Sequence, residues 1–239
     1  VLSNRSFVAV FLGLLFAAVI AGVESAFMPF LGIHFWGFTT EDLSYLMYVG
    51  LFVFPIAFYL TPILTRLLDK RMSVMIPLAC WILAVNIPIS LRLLDVSWYP
   101  VNGSPWVLII FIGYSCVGAL AAPIMGASTN SMLADIADEH ELDSGIRREG
   151  VIYAFRAFAG KATNALGIAV GGILLSAIQF PSRAVRGTIP DEMVWNLGFI
   201  AGPATSIFSL AALGFYLLYR IDRTRHNAIL EALRERRSA

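Results

Sequence analysis

Six apolar stretches constrain this chain more than any other feature, each near the ~20 residues that a helix needs to cross a bilayer. They cover residues 7–30, 44–65, 74–93, 105–133, 151–180 and 194–219. The runs are continuous, whereas a membrane strand barrel is built from short segments of alternating polarity. Hydrocarbon offers the backbone no water, so each run must pair its own amides and carbonyls as a helix. The expectation is an all-α integral membrane protein: a six-helix bundle over 1–219 and a tail over 220–239. The connections are short, so successive helices run antiparallel. Charged residues are 14% of the chain, about half the share of a soluble domain.

The placement of charge sets the expected orientation. With the N-terminus inside, one side holds Arg5, Arg66, Lys70, Arg71, Arg147, Arg148, Arg220, Arg223, Arg225, Arg234, Arg236 and Arg237. The other side holds only Arg92, Arg183 and Arg186. The positive-inside rule then puts both termini in the cytoplasm of a multi-pass protein of the cell inner (plasma) membrane. Net charge is +1, so no nucleic-acid partner is implied. Trp36, Trp98, Tyr99, Trp106 and Trp195 fall near helix ends, as an interfacial aromatic belt would. Cys80 and Cys116 sit in apolar runs and read as small core residues. The chain opens at Val1 with Asn4-Arg5 before an apolar run. A signal peptide is one reading of that start; a transmembrane helix in a chain cut from something longer is the preferred one.

Few charges enter the apolar runs, and each is a candidate. In the fifth run Lys161 lies ten residues past Val151, ~15 Å along the helix and near the middle of the bilayer. A cation there costs at least ~2.5 kcal/mol, so it should face protein or water. Tyr153, Arg156, Gly160, Asn164, Gly167 and Gly171 form one stripe at helical spacing, with Lys161 on its flank. Arg156, Lys161 and Asn164 either line a polar cavity or form a buried ion pair that holds helices together. Glu24 in the first run is a proton or cation site, a partner for Lys161, or a hydrated group near the outer surface. Ser128, Thr129, Asn130 and Ser131 end the fourth run and bond either a polar solute or neighbouring helices. Asn86 with Pro88 reads as a kink.

An acidic cytoplasmic segment follows. Asp135, Asp138 and Glu141 recur every three residues at a helix C-terminus, where the helix dipole disfavours carboxylates. Arg147 and Arg148 supply the compensation. A calcium-loop spacing is absent, so a salt-bridge cluster is preferred to a metal site. There is neither His-Glu-x-x-His nor Gly-x-Ser-x-Gly in the chain, which argues against a membrane metalloprotease or serine enzyme. The reading is therefore not an enzyme, with no catalytic residue, no metal and no cofactor.

The motif Met132-Leu-Ala-Asp135-Ile-Ala-Asp138-x-x-Glu141, then Gly145-Ile-Arg147-x-Glu149-Gly150, then Lys161, resembles the glycoside-pentoside-hexuronide:cation symporter family. This is the melibiose-permease-like branch of the major facilitator superfamily. Asn4-Arg5-x-Phe7, Phe35-Trp36, and Tyr219-x-Ile221-Asp222 with His226 resemble its helix-seven entry, the loop after it and its tail. The resemblance implies six helices equivalent to helices seven to twelve, with an N-terminal six-helix half missing. It implies that Lys161 couples cation and solute. It also implies that Asp135, Asp138, Glu141 and Arg147 belong to charge networks closing a cytoplasmic gate. Arg156 departs from the family, which has an uncharged polar residue there; an arginine favours an acidic or differently shaped solute.

The expected function is the C-terminal half of a secondary active transporter, moving a sugar, glycoside or related organic solute with sodium or a proton by alternating access. Lys161, Arg156, Asn164, Glu24, Ser128, Thr129 and Asn130 are the candidate solute and cation residues. Asp135, Asp138, Glu141, Arg147 and Arg148 are the candidate gate. The expected partners are the lipid bilayer, a small-molecule solute and the missing half. Rival readings are a non-transporting assembly partner or half-transporter relic, a lysolipid or drug carrier on the same fold, and a membrane enzyme acting on lipid.

Overall fold

A computed structural model describes residues 4–181, 184–185 and 187–238, with backbone alone at 162–164. Arg183, Arg186 and the Asn164 side chain thus lie outside the described residues. Among the described residues, six helices are long and apolar enough to span a membrane. The first span is α1 (Arg5–Phe30), which continues through a π turn at Leu31–Phe35. Next come α2 (Thr40–Leu67), α3 (Lys70–Leu93), α4 (Pro105–Ser144) and α5 (Glu149–Ala177). The sixth span is α6 (Asp191–Phe199) and α7 (Ser206–Leu217), joined by a π turn at Ile200–Ala204 that contains Pro203. A last helix, α8 (Arg223–Ser238), is polar.

Local chemistry explains the boundaries. Asn4 caps α1 by accepting the Phe7 amide. Thr39 and Asp42 form a reciprocal capping box on α2. Ser104 followed by Pro105 starts α4, and Gly145 ends it at φ 72°, which glycine adopts without steric cost. The stretch 134–144, beyond the apolar run, is the last three turns of α4. The acids therefore share helical faces, as their spacing of three suggested.

The spans pack as two interleaved triplets. α1 packs on α5 and α7, α4 packs on α2 and α3, and α3 meets α7. Exchanging the first three spans for the last three maps α1–α5 onto α4–α2, and α1–α7 onto α4–α3. Three spans reverse the direction of entry, so the triplets form an inverted repeat. Apolar residues collect in two cores. Near the termini lie Phe7, Val10, Met132, Ile136, Ile152 and Tyr216. At the opposite end lie Phe27, Phe35, Trp36, Phe38, Phe111 and Leu197. Trp36 thus belongs to the core and not to an interfacial belt, whereas Trp98, Trp106 and Trp195 are exposed. Cys80 is exposed on the outside of the bundle and Cys116 is half-buried, so neither is a core thiol. α3 passes Pro88 as continuous helix, and Asn86 donates to the Ser206 hydroxyl at 2.6 Å, tying α3 to α7.

α1 and α5 approach closely because of glycine. A Cβ on Gly167 would overlap the Val19 carbonyl oxygen and the Gly22 Cα, and one on Gly171 would press on Ala26. Lower down, Phe155 stacks edge-on against both Phe7 and Phe11 with centroids 5.4 Å apart. Gly167→Val should force the helices apart and cost about 1–3 kcal/mol. It should appear as a lower thermal midpoint of the purified protein in detergent; an unchanged midpoint would show that this approach is not close.

Candidate functional site

The acids of α4 are held by cations from two distant segments, the start of α3 and α8, and by Arg147 just past the helix. Asp135 is 2% exposed. Its carboxylate takes both oxygens' bonds from Lys70 Nζ, at 2.6 and 2.7 Å, across from the start of α3. The Tyr219 hydroxyl donates to it at 3.0 Å. Burial, and next the negative field of Asp135, push the Tyr219 phenol well above its ordinary pKa, so it stays a donor. His226 Nε2 bridges Asp135 at 3.2 Å and Asp138 at 3.4 Å. Carboxylates only accept, so Nε2 carries the proton.

Further along the same helix, Arg147 folds back onto Asp138 at 2.8 Å and Glu141 at 3.1 Å, and also bonds Glu149 at 2.9 Å. Those bonds, Glu149 first, hold the guanidinium above its ordinary pKa. Arg237 reaches Glu141 at 2.6 Å. Glu139, buried, accepts from Asn4 Nδ2 at 2.7 Å and pairs with Arg225. Arg223 donates to the carbonyls of Thr65, Arg66 and Leu68, the unpaired end of α2. α8 is seated on this network, with Ile229 and Leu233 buried beneath it.

Arg148, expected to share the compensation, is exposed and has no ion pair among the described residues. Its place is taken by Lys70, Arg225, His226 and Arg237. Sequence reasoning missed Lys70, Arg225, Arg237 and Glu139, because their ion-pair partners lie 65 to 96 residues away. Tyr219 and His226 already stood out in the tail motif.

The intramembrane groups are placed differently from one another. Lys161 is exposed on α5, and neither a hydrogen bond nor an ion pair reaches it among the described residues. It does not pair with Glu24. Arg156 is half-buried, and its Nε has no partner among the described residues. Gly160 beside them faces open space. Tyr153 donates to the Asn130 carbonyl at 3.4 Å. Ser128 and Thr129 are buried between helices at 1% and 4% exposure, so they do not line an open cavity.

Glu24 lies elsewhere, in the middle of the bundle. Trp81 Nε1 donates to its Oε1 at 3.2 Å. The Trp81 ring fits because residue 118 is glycine; a Cβ there would overlap the indole. Two cavities, of 480 and 310 Å³, meet at Glu24 and Trp81. Neither touches Lys161, Arg156, Ser128, Thr129 or Asn130.

Comparison with known proteins places this geometry. Residues 1–223 match the family described as MFS/sugar transport protein. An "Uncharacterized symporter" of Synechocystis sp. is 36% identical over 109 residues, 44% of this chain and 20% of that protein. A "Putative sulfoquinovose importer" of Escherichia coli is 23% identical over 209 residues, 86% of this chain and 42% of the relative. An "Isoprimeverose transporter" of Lactiplantibacillus pentosus is 28% identical over 107 residues, 45% of this chain and 22% of that protein. The chain thus spans less than half the length of these curated relatives.

Removing one member of a buried pair strands the other, at about 3–5 kcal/mol. Lys70→Met should therefore lower the thermal midpoint in detergent markedly, and adding Asp135→Leu should recover most of the loss. If Lys70→Met melts with the parent, the pair does not hold this end together.

Proposed function

The chain belongs to the MFS/sugar transport protein family, and on that premise we propose that it is the C-terminal half of a cation-coupled symporter. Its solute is a sugar, glycoside or related organic molecule. Transport proceeds by alternating access, with this half rocking against a second six-helix half about a midplane site. The multi-pass bundle lies in the cell inner membrane with both termini cytoplasmic, as the positive-inside rule favours.

Lys161 carries this reading. A cation more than two turns inside an apolar helix, exposed and unpaired among the described residues, needs polar surroundings that this bundle does not supply. A facing half with its solute supplies them. The exposed flank of α2, where only Val49, Ala57 and Thr61 are buried, supports the same arrangement. Lys161 senses the occupied cation site. Arg156, one and a half turns nearer the cytoplasm, binds the solute, and its charge suits an anionic group. The relatives include one named "Putative 2,3-dihydroxypropane-1-sulfonate exporter" from Escherichia coli, 21% identical over 208 residues. A carboxylate or sulfonate accepts a guanidinium in bidentate geometry.

Asp135, Asp138, Glu139 and Glu141, with their cations, act as a cytoplasmic latch. Opening this end exchanges ion pairs for water, which makes the latch a two-state element.

Lys161→Ala in the intact transporter should abolish gradient-driven uptake while leaving the protein in the membrane; normal driven uptake would sink the coupling role. Arg156→Gln should raise KM for acidic solutes at least tenfold, about 1.4 kcal/mol, and spare neutral ones. Equal effects on both would remove Arg156 as the anion contact. For the latch, Lys70→Met should speed alkylation of a cysteine introduced at Ser131; an unchanged rate counts against it.

A further inference from the structure

Glu24 is a carboxylate in the hydrocarbon zone with one hydrogen-bond donor and no cationic partner among the described residues. Among the described residues, no element packed around it supplies a counter-charge. α2 and the sixth span turn apolar side chains towards it, such as Phe54 and Ala201. α3 presents Trp81, and its Arg92 lies farther along, over the rings of Phe35 and Trp36 at 4.4 and 5.7 Å. α4 presents Tyr114, the one other titratable side chain on these walls. α5 meets α1 at Gly167, level with Val19 and Gly22, which leaves Lys161 more than two turns nearer the termini than Glu24. An ionised carboxylate so placed is costly, and binding a proton is the simplest relief.

The walls also discriminate between cations. A hard metal ion needs several converging oxygens. Besides Glu24 the walls offer only isolated side-chain hydroxyls among the described residues. Ser25 and Ser209 line separate cavities. Ser115 is committed to the Phe111 carbonyl at 2.9 Å, and Tyr114 points at the Met28 sulfur; no second carboxylate joins them. A proton needs only the carboxylate. The two cavities give it a route. One runs from Glu24 towards Leu31 and Trp36, at the end away from the termini. The other runs towards Met125 and Ser209, nearer the termini.

We propose that Glu24 is the proton-binding residue of this half and that the coupling cation it takes is a proton, with Trp81 holding the carboxylate between the two cavities. The proposal rests on the transport reading. The proton adds to one carboxylate oxygen while the other keeps the indole bond, and it leaves on the opposite side as the bundle changes state. No electron moves and no other bond breaks.

The test uses the intact transporter in lipid. Infrared difference spectra between mildly alkaline and mildly acidic pH should show a carboxylic-acid carbonyl band that Glu24→Gln removes. Trp81→Phe, which removes the donor favouring the ionised form, should keep the band and move its midpoint to higher pH. Proton-driven uptake should fall to background in Glu24→Gln. A band unchanged in Glu24→Gln, or one displaced by sodium at fixed pH, overturns the proposal. Should Glu24→Gln misfold, an unmoved midpoint in Trp81→Phe overturns it alone. Uptake driven by an imposed gradient without a Glu24 band overturns this site and leaves the transport reading standing. Absence of gradient-driven uptake in the parent overturns the transport reading, and the coupling role with it.

Discussion

A charge at the centre of a bilayer costs at least ~2.5 kcal/mol even on the most lenient scales, and this cost organises the whole molecule. Nearly every charged side chain lies at the ends of the spans. At the end bearing the termini the charges are gathered into one network centred on Asp135, which is 2% exposed. A buried pair of this kind adds little stability over apolar packing of the same shape. What it does specify is which segments meet. Lys70 begins α3, Tyr219 follows α7 and His226 opens α8, and all three converge on one carboxylate. The apolar contacts of Ile229 and Leu233 would let α8 slide; the bonds of Arg225 and Arg237 to Glu139 and Glu141 do not.

The spans were legible in the sequence because length and hydropathy are local properties. The glycine contact between α1 and α5 was foreshadowed by Gly167-x-x-x-Gly171, since small residues at that spacing permit close approach. That the helix continues a full three turns past the apolar run, to Ser144, was not legible, because acids at a helix C-terminus oppose the dipole. Only cations from α3 and α8 reverse that balance, and no local pattern announces them. Trp36 was misread for the same kind of reason. A tryptophan after a helix suggests an interface, but here Arg92 and Phe111 enclose it. Arg147 and Arg148 looked equivalent in sequence; the turn at Gly145 aims only Arg147 back at α4.

The candidate site divides along similar lines. That Glu24, Arg156 and Lys161 are unusual follows from hydropathy alone. Their surroundings do not, because each depends on a residue from another span. Gly118 shows this clearly. Within α4 it is one more small residue, yet it makes the room that Trp81 needs to reach Glu24. A methyl group there would move the indole, and with it the only donor to that carboxylate among the described residues.

Both ends of the bundle hold an apolar core, but only the termini end adds an ion-pair network, a difference that matters under the transport reading, in which one end opens at a time. At the termini end, ion pairs can be exchanged for hydration as water enters, so part of the cost of separation is returned. At the opposite end Phe35, Trp36, Phe38 and Phe111 interlock, and apolar area exposed there is uncompensated at about 25 cal/mol per Å². Between them the interior is hollow around Glu24. The hollow middle can change shape without breaking either core. Under the transport reading a group that meets water from alternate sides is best placed there, and among the described residues Glu24 is the one carboxylate in that position.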